Sequence, residues 1–267
     1  MNSNFYIPKD PAVKHLVHSI WQIDHYTSFG KEYIIPKGII EIIFNFSDDA
    51  AIANQGKSEY HLPHCFINGF NKEPIQLQLP TKQVFFGVLF QPLAVKKIFG
   101  APASEFSDIS VDLTLIDPAF MSLWHQLAEQ TDFNERVTMF KTWLKQHFMN
   151  LQPQEQLINN FLYASNQHDL SVKELASSLC YSPRHLSRKI FEATGMNTEE
   201  LLLYKKYLHA VHLIHHTDLP LTAVAYQSQF SDQSHFIKSF KAYTKMTPGD
   251  YKRNKSVVKG HLYKDVR

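Results

Sequence analysis

The stretch SPRHLSRKIFEATGM, residues 182–196, recurs in altered form as DQSHFIKSFKAYTKM, residues 232–246. Written one under the other, the two stretches share a histidine, a threonine and a methionine. Arg188 falls on Lys238 in the same alignment. The shared polar, apolar and basic positions predict that one structural unit occurs twice in the chain.

The first copy carries strong local signals for a helix. Ser182 is well suited to cap a helix because its hydroxyl can accept a hydrogen bond from an unpaired N–H group of the first turn. Pro183 fits the first helical position because proline has no N–H group to leave unpaired. The pattern predicts a helix over residues 183–194, and the second copy predicts another over residues 233–243.

A shorter helix is predicted just before each of these two helices. Apolar and small positions recur at an offset of 49 or 50 residues. The positions in the first copy are Val172, Leu175, Ala176, Leu186 and Ile190. They correspond, in the same order, to Leu221, Val224, Ala225, Phe236 and Phe240. A short helix, a tight turn and a second helix with one apolar and one basic edge form a helix-turn-helix unit. The sequence therefore predicts two such units, each ending in a recognition helix.

A long helix is predicted between the two units, over residues 198–216. Nineteen helical residues span roughly 28 Å at 1.5 Å per residue. Successive major grooves on one face of DNA are ~34 Å apart, so the spacer suits two recognition helices in adjacent grooves. One chain is then expected to read two adjacent segments of an asymmetric site.

Polar and basic side chains on the two recognition helices are the candidate DNA-binding residues. Arg184 and Arg188 are suited to bidentate contacts with guanine, and Gln233 is suited to adenine. The remaining candidates are positions on the exposed helix edges or at helix starts, where phosphates bind: Ser182, Ser187, Ser234, Lys238 and Thr247.

The first part of the chain has a different pattern. Short β-branched and aromatic segments predict strands at IIEIIFNF (39–46), IQLQL (75–79) and VFFGVLF (84–90), with turn-rich segments at 47–58 and 68–74. Helical patterns follow near residues 92–99, 118–129 and 133–148. After a hinge around NLQPQEQ, helices are predicted at 154–166, 172–179 and 222–227, with a last turn from Pro248. The predicted fold is an α+β, β-rich domain (1–152, a cupin-like barrel or sandwich with helices), followed by an all-α domain (153–267).

Charge is distributed unevenly between these two parts. The 267 residues carry a formal charge of +2, made up of −3 over residues 1–154 (12 basic, 15 acidic) and +5 over residues 155–267 (15 basic, 10 acidic). A basic second part indicates contact with a polyanion. No apolar run reaches the ~18 residues of a membrane span, and MNSNFYIPKD lacks the order of a signal peptide, so we expect a cytoplasmic protein without a membrane partner.

No pattern in the sequence indicates a metal or a cofactor. Cys65 and Cys180 form no CxxC pair, which favours reduced thiols. The HxxH pairs at residues 15–18 and 61–64 lack a third ligand at a recognisable spacing, which favours loop or surface histidines. Catalytic motifs are also lacking, and we expect no enzyme activity.

Motifs over roughly residues 155–253 resemble the paired helix-turn-helix domain of the AraC/XylS family of bacterial transcription regulators. The resemblance is carried by SPRHLSRKIFEATGM, by KKYLHAVHLI with Ala210, and by AYQSQFSDQSHFIKSFKAYTKMTPGDYKR. More weakly, IIPKGIIEIIFNF, FGVLFQP and KKIFGAPASEFSDI resemble the β-rich sensor domains of such regulators. The resemblance implies a DNA-binding regulator, such as an activator, with promoter or operator DNA as partner. It further implies a homodimer, contact with RNA polymerase, and often a small-molecule effector.

Three positions depart from the family pattern, which has glycine in the first turn, in the second turn and before MTP. Cys180, Gln229 and Lys245 stand there. If Lys245 must adopt positive φ after its helix, the cost is on the order of 1 kcal/mol relative to glycine. The first copy keeps Gly195 at the corresponding place, so we expect the second unit to be the weaker reader of DNA.

Other interpretations remain open for the first part of the chain. A small-molecule-binding or metal-dependent β-barrel enzyme with a helical appendage is the alternative function. It would be favoured by a stoichiometric metal, or by turnover in residues 1–154. The apolar stripe of helix 133–148 fits either a dimer surface or a core. The aromatic side chains of Trp21, Phe44, Phe46 and Phe86 fit either an effector pocket or a core.

Overall fold

The computed structural model describes residues 2–24, 31–47, 51–56, 58–79, 83–147, 153–163, 172–256 and 258–264. The strands in these ranges are β1 (Asn2–Tyr6), β2 (Val17–Asp24), β3 (Lys31–Ile34), β4 (Glu41–Asn45), β5 (Ile52–Gln55), β6 (Ser58–His61), β7 (Cys65–Asn68), β8 (Ile75–Gln78), β9 (Val84–Phe90), β10 (Ser110–Asp112) and β11 (His261–Lys264). They form a six-stranded sheet in the order β1-β2-β9-β4-β7-β10 and a five-stranded sheet in the order β11-β3-β8-β5-β6. Both sheets are antiparallel.

Helices follow the strands in chain order. They are α1 (Pro11–Lys14), α2 (Val95–Phe99), α3 (Ala119–Glu129), α4 (Phe133–His147), α5 (Pro153–Tyr163), α6 (Val172–Ser178), α7 (Pro183–Thr194), α8 (Thr198–His216), α9 (Leu221–Gln227), α10 (Gln233–Thr244) and α11 (Pro248–Asn254). Short 3₁₀ turns occur at Pro92–Ala94, Ala103–Phe106 and Leu113–Leu115. The predicted β-rich domain followed by two helix-turn-helix units around a long helix is confirmed.

The strands at 39–46, 75–79 and 84–90 are confirmed as β4, β8 and β9. The prediction of turns throughout 47–58 is wrong, because β5 lies inside this segment and β6 begins at its end. Strand β6 is a short sheet edge with mostly exposed side chains. Such a strand shows no hydrophobic alternation by which the sequence could reveal it.

Successive side chains of β9 point to opposite faces of the six-stranded sheet. Phe86 and Phe90 face the helices and belong to the large core that also contains residues of α3 and α4. Phe85 and Leu89 point the other way, toward the five-stranded sheet, where a cavity of about 530 Å³ lies between the two sheets. The two sheets thus form a sandwich that is open enough inside to hold a small molecule.

This alternation decides between the pocket and core interpretations of the four aromatic residues. Of the four aromatic residues proposed for a pocket, Trp21 lines the cavity. Phe44 and Phe86 lie in the core on the helix side, and Phe46 packs against Trp124 with a ring-centroid distance of 5.9 Å. The sequence could not assign the faces of β4 and β9, since both faces of these strands are apolar.

The apolar stripe of α4 is used inside the domain. Phe133, Val137, Phe140 and Leu144 are all buried in the large core, whereas the side chain of Phe148 lies outside the described residues. The interpretation of this stripe as a dimer surface is therefore wrong, because the six-stranded sheet already covers it.

The final strand was not expected, because the sequence predicted only helix after the hinge. Strand β11 follows α11 and pairs in antiparallel register with β3 of the first domain, with Leu262 opposite Tyr33. Strand β11 therefore forms one edge of the five-stranded sheet.

The two domains share one continuous apolar core. Tyr204 and Tyr207 of α8 are fully buried, and their hydroxyls donate to the carbonyl oxygens of Asn71 (2.7 Å) and Pro36 (3.0 Å). Gly38 makes this approach possible, since a Cβ there would lie 2.4 Å from Cδ1 of Leu208. The linking helix is thus packed directly on the β-rich domain.

Candidate nucleic-acid interface

The first recognition helix, α7, begins and ends as the sequence predicts. The Ser182 hydroxyl accepts a hydrogen bond from the N–H group of His185 at 3.3 Å, and Pro183 takes the first position. Gly195 ends the helix in the left-handed conformation with φ 69°. These local signals fix the frame in which the basic side chains are presented.

The second recognition helix, α10, begins at a different type of cap. Asp232 accepts a hydrogen bond from the N–H group of His235 at 2.7 Å, and this bond holds the pKa of the carboxyl below its ordinary value. The charged cap also suits the positive end of the helix dipole. An aspartate before a helix is a strong start signal, so the start of α10 can be read from the sequence.

The basic edge of α7 is open to solvent. Arg184 and Arg188 are exposed, whereas Leu186 and Ile190 are fully buried on the opposite edge. Neither guanidinium has an ion-pair partner among the described residues. Exposed Phe191, which sequence reasoning missed, continues the same edge three residues beyond Arg188.

Ser187 differs from its predicted place on this edge. Its hydroxyl oxygen lies 2.8 Å from Oγ1 of Thr198, a buried residue at the start of α8. The side chain therefore helps to join α7 to α8. Its partner lies on another helix, so the periodicity of α7 alone could not reveal this role.

The exposed edge of α10 carries the predicted polar residues. Gln233, Ser234 and Lys238 are exposed, and Phe236 and Phe240 are fully buried. Lys241, which was not predicted, is also exposed and lies three residues after Lys238, next to it on the helix surface. The second edge therefore carries two cations of its own.

Thr247 caps α11 rather than offering a free hydroxyl. Its Oγ1 accepts from the N–H group of Asp250 at 3.1 Å and donates to Oδ2 of Asp250 at 2.6 Å. The Asp250 carboxylate thus occupies this helix start and repels a phosphate there. Among the predicted phosphate contacts, Ser182 is better placed than Thr247.

All three positions where the family pattern has glycine adopt positive φ. The values are 56° at Cys180, 57° at Gln229 and 58° at Lys245, close to the 69° of Gly195. Lys245 therefore meets the condition under which a cost relative to glycine was expected. A side chain at such a position costs about 1–2 kcal/mol through the clash of Cβ with the following carbonyl oxygen.

Replacing Cys180 or Gln229 with glycine is expected to raise the free energy of unfolding by about 1 kcal/mol each, because glycine removes this clash. Urea denaturation followed by circular dichroism measures the effect. Gly100→Ala is the matched control. This change places a Cβ at φ 73° with no neighbouring atom within 4 Å. It should lower the free energy of unfolding by about the same amount, about 1 kcal/mol. Glycine variants that are less stable than the parent protein would contradict the inferred backbone strain at Cys180 and Gln229.

The spacer helix α8 has 19 residues, as predicted, and begins with a capping box between Asn197 and Glu200. Its buried Lys205 donates to the carbonyl oxygen of Phe161 in α5 at 2.6 Å. Burial lowers the pKa of this lysine to about 8, because desolvation disfavours the charged form. Fully buried Ala210 provides the small side chain needed in the packed centre of α8.

The β-rich domain contacts the C-terminal ends of both recognition helices. At α7, the Ser107 hydroxyl donates to the carbonyl oxygen of Thr194 at 3.3 Å. At α10, the Tyr33 hydroxyl donates to the carbonyl oxygen of Thr244 at 2.8 Å, and the Lys245 ammonium lies 3.0 Å from the Glu73 carboxylate. In the N-terminal halves, the side chains of Arg184, Arg188 and Lys238 remain exposed. The first domain therefore positions both helices without covering their basic edges.

Within the ranges that the structure describes, no group of three or more His, Cys, Asp or Glu side chains is arranged to hold a metal ion. Cys65 and Cys180 are free thiols, and burial raises the pKa of Cys65 to about 12. No described helix combines the length and the apolar character needed to cross a membrane.

Two family models match the chain. One, described as a helix-turn-helix domain, matches residues 175–254. The other, described as a domain of unknown function (DUF6597), matches residues 5–112. The first match contains α7, α8 and α10, and the second contains most of the two sheets.

Curated relatives are similar to part of the chain. An uncharacterized HTH-type transcriptional regulator of Staphylococcus aureus (strain MSSA476) is 32% identical over 90 residues, which is 34% of this chain and 12% of the relative. The HTH-type transcriptional activator RhaS of Klebsiella pneumoniae (strain 342) is 24% identical over 133 residues, 49% of this chain and 41% of the relative. The chain thus spans less than half the length of either relative.

A solved structure is similar in fold over most of the chain. ToxT from Vibrio cholerae superposes with a TM-score of 0.51 at 13% identity, over 88% of this chain and 98% of that chain. At this identity the likeness concerns the fold. Together with the matched helix-turn-helix model, the two units around α8 show that residues 175–254 form a helix-turn-helix domain of the AraC type, and the chain is similar to curated HTH-type transcriptional regulators.

Proposed function

We propose that this protein is a sequence-specific transcription regulator that inserts α7 and α10 into adjacent major grooves of double-stranded promoter or operator DNA. The observation that carries the proposal is the exposure of Arg184, Arg188, Gln233 and Lys238 on two helices joined by the 19-residue α8. A rigid spacer of roughly 28 Å suits two grooves ~34 Å apart. Residues 153–267 supply DNA binding, and residues 1–152 supply sensing and dimerisation.

The base-reading roles follow from side-chain chemistry. Arg184 and Arg188 donate two hydrogen bonds each to O6 and N7 of guanine, and Gln233 pairs with adenine. Lys238 contacts a base or a phosphate. The first unit is the main reader, since it holds both arginines.

Other residues position the helices on the sugar-phosphate backbone. Ser182 and the N–H groups of the first turn of α7 meet a phosphate, favoured by the positive end of the helix dipole. Ser234 serves the same purpose at α10. Ser187 and Thr247 keep supporting roles through their contacts with Thr198 and Asp250.

A small-molecule effector in the cavity between the sheets controls DNA binding. The volume of the cavity, about 530 Å³, falls within the ~300–1,000 Å³ of typical ligand sites. Apolar residues such as Ile43, Phe66 and Phe85 line most of it. The polar groups include Glu41, which accepts from Trp21 Nε1 at 3.3 Å and pairs with Lys37 at 3.2 Å.

The proposed partners are promoter DNA, a second copy of the chain in a homodimer, and RNA polymerase. A regulator acting on bacterial promoters works in the cytoplasm, on the nucleoid. DNA binding requires no cofactor, and no enzyme activity forms part of the proposal.

Salt dependence tests the DNA contact directly. The full chain is expected to bind fragments selected from genomic DNA. Affinity should fall by roughly 10³-fold or more between about 50 and 200 mM salt, because bound lysines and arginines release counterions from phosphates. Fluorescence anisotropy with labelled fragments measures the slope. A folded protein that binds no DNA at low salt would contradict the proposed function.

A further inference from the structure

After α11 the chain returns from the DNA-binding domain to the first domain. Residues 258–264, called here the C-terminal strap, leave the region after α11 and place β11 beside β3. All other described strands of the two sheets come from residues 2–112. The strap is thus a covalent extension of the second helix-turn-helix unit that is built into the sensor domain.

Specific contacts hold the strap in place. The N–H group of Gly260 donates to the Tyr251 hydroxyl at 3.2 Å, and its carbonyl oxygen accepts from the N–H group of Ile35 at 2.9 Å. Gly260 has φ 83°, and a Cβ there would lie 3.3 Å from the Lys37 side chain. Leu262 is buried in the shared core. Gly260 therefore joins α11, through Tyr251, to the β-rich domain.

The strap also forms part of the cavity wall. Val258, Lys259 and His261 line the cavity between the sheets. Nδ1 of His261 lies 2.6 Å from the carboxylate of Glu32, which lines the same cavity. A molecule in the cavity therefore touches the segment that continues the DNA-binding domain.

We propose that the C-terminal strap couples occupancy of the cavity to the placement of the second recognition helix. This inference rests on the proposed function. A molecule that contacts the docked strap binds more tightly when the strap is in place. By thermodynamic reciprocity, the same molecule holds the strap in place.

Whether docking of the strap on β3 favours or hinders DNA binding follows from the surfaces that are covered when the strap is docked. In this form the first domain contacts the ends of α7 and α10 through Thr194 and Thr244, and leaves Arg188 and Lys238 exposed. The docked strap fixes the second unit in an arrangement whose reading edges are free. Docking therefore pre-organises the protein for DNA, and release of the strap weakens specific binding.

A reversible cross-link tests the strap without removing it. Ile34 and His261 lie directly opposite each other on β3 and β11, and both line the cavity. An Ile34→Cys/His261→Cys variant, made with Cys180→Ser, is expected to form a disulfide. The oxidised protein should bind its selected DNA site at least about fivefold more tightly than the reduced protein, the lower end of typical coupling between sites. Random DNA should show little difference.

A chain that stops after Lys255 provides the second arm. It should bind the selected site at least about fivefold more weakly than the full chain. Equal affinity of the oxidised and reduced proteins, with the disulfide verified by thiol titration, would overturn the proposal even if the truncated chain failed to fold. If the full-length protein binds DNA and neither the cross-link nor the truncation changes its affinity, the proposed role of the strap is overturned and the proposed function is not. Absence of all DNA binding would overturn the proposed function itself.

Occupancy is tested with the apolar fluorescent probe 8-anilinonaphthalene-1-sulfonate. Its affinity should be higher for the oxidised than for the reduced cross-link variant, and adding it should protect β3 and β11 from hydrogen exchange. Equal affinities in the two forms would overturn the link between the cavity and the strap.

Discussion

A variant with Arg184→Ala and Arg188→Ala is expected to lose about 2–6 kcal/mol of binding free energy on its correct DNA site, twice the ~1–3 kcal/mol of one bidentate guanine contact. On random DNA the loss should be smaller, because only the contribution of the two charges near the phosphates is lost there and no specific guanine contacts are removed. Both side chains are exposed on one edge of α7, so their removal leaves the core intact. Competition binding with selected and random duplexes measures both losses.

Lys145→Ala is a control for charge removed outside the recognition helices, one unit compared with the two units removed by the arginine variant. Lys145 lies on α4 in the first domain, half-exposed and 2.6 Å from the carboxylate of Asp10. Its removal changes the net charge by one unit without touching a recognition helix, so specificity should be unchanged. An equal loss on correct and random DNA for the arginine variant would show that these residues contact phosphates rather than bases.

Gly69→Ala is expected to lower the free energy of unfolding by about 3 kcal/mol, the upper end of typical overpacking costs. An added Cβ would lie 2.5 Å from the carbonyl oxygen of Phe106 and 2.9 Å from the backbone nitrogen of Ser107. Backbone atoms cannot move aside as a flexible side chain can. The N–H group of Gly69 also donates to this carbonyl oxygen at 2.8 Å, and the clash would strain that bond.

This region connects the cavity to both recognition helices. Ser107 contacts α7, and Glu73 pairs with Lys245 at the end of α10. Asp108, held at φ 58°, accepts from the N–H group of Glu73 at 3.1 Å and so joins the two loops. We therefore expect Gly69→Ala to weaken specific DNA binding as well.

Gly249→Ala is the control for a glycine-to-alanine change in an uncrowded place. The nearest atom to an added Cβ there is 3.5 Å away, and the residue lies in α11. Because alanine favours helix by up to about 1 kcal/mol over glycine, the control should be neutral or slightly stabilising. Urea denaturation compares the two variants. A Gly69→Ala protein as stable as the parent would contradict the close approach of the two loops.

Elements defined by local signals were predictable from the sequence. The bounds of α7 follow from Ser182, Pro183 and Gly195, and α8 has the predicted range. Exposure of Arg184 and Arg188 also followed from helical periodicity. These features depend on residues within one or two turns of each other.

Features that depend on distant partners were not predictable. Strand β11 pairs with β3 across more than 200 residues, and nothing near His261 in sequence indicates that partner. The hydroxyl of Ser187 lies against Thr198 on another helix for the same reason. Likewise, the cavity depends on which face of β9 meets the second sheet.

Methylation interference at single guanines, performed with the parent protein and with matched variants, tests the central claim that one chain reads two adjacent grooves. The account predicts two patches of interference per bound chain, separated by one helical turn of about 10–10.5 base pairs. The patch assigned to α7 should disappear in Arg188→Ala, and the patch assigned to α10 should weaken in Lys238→Ala. A single patch per chain, or equal weakening of both patches by either variant, would contradict it.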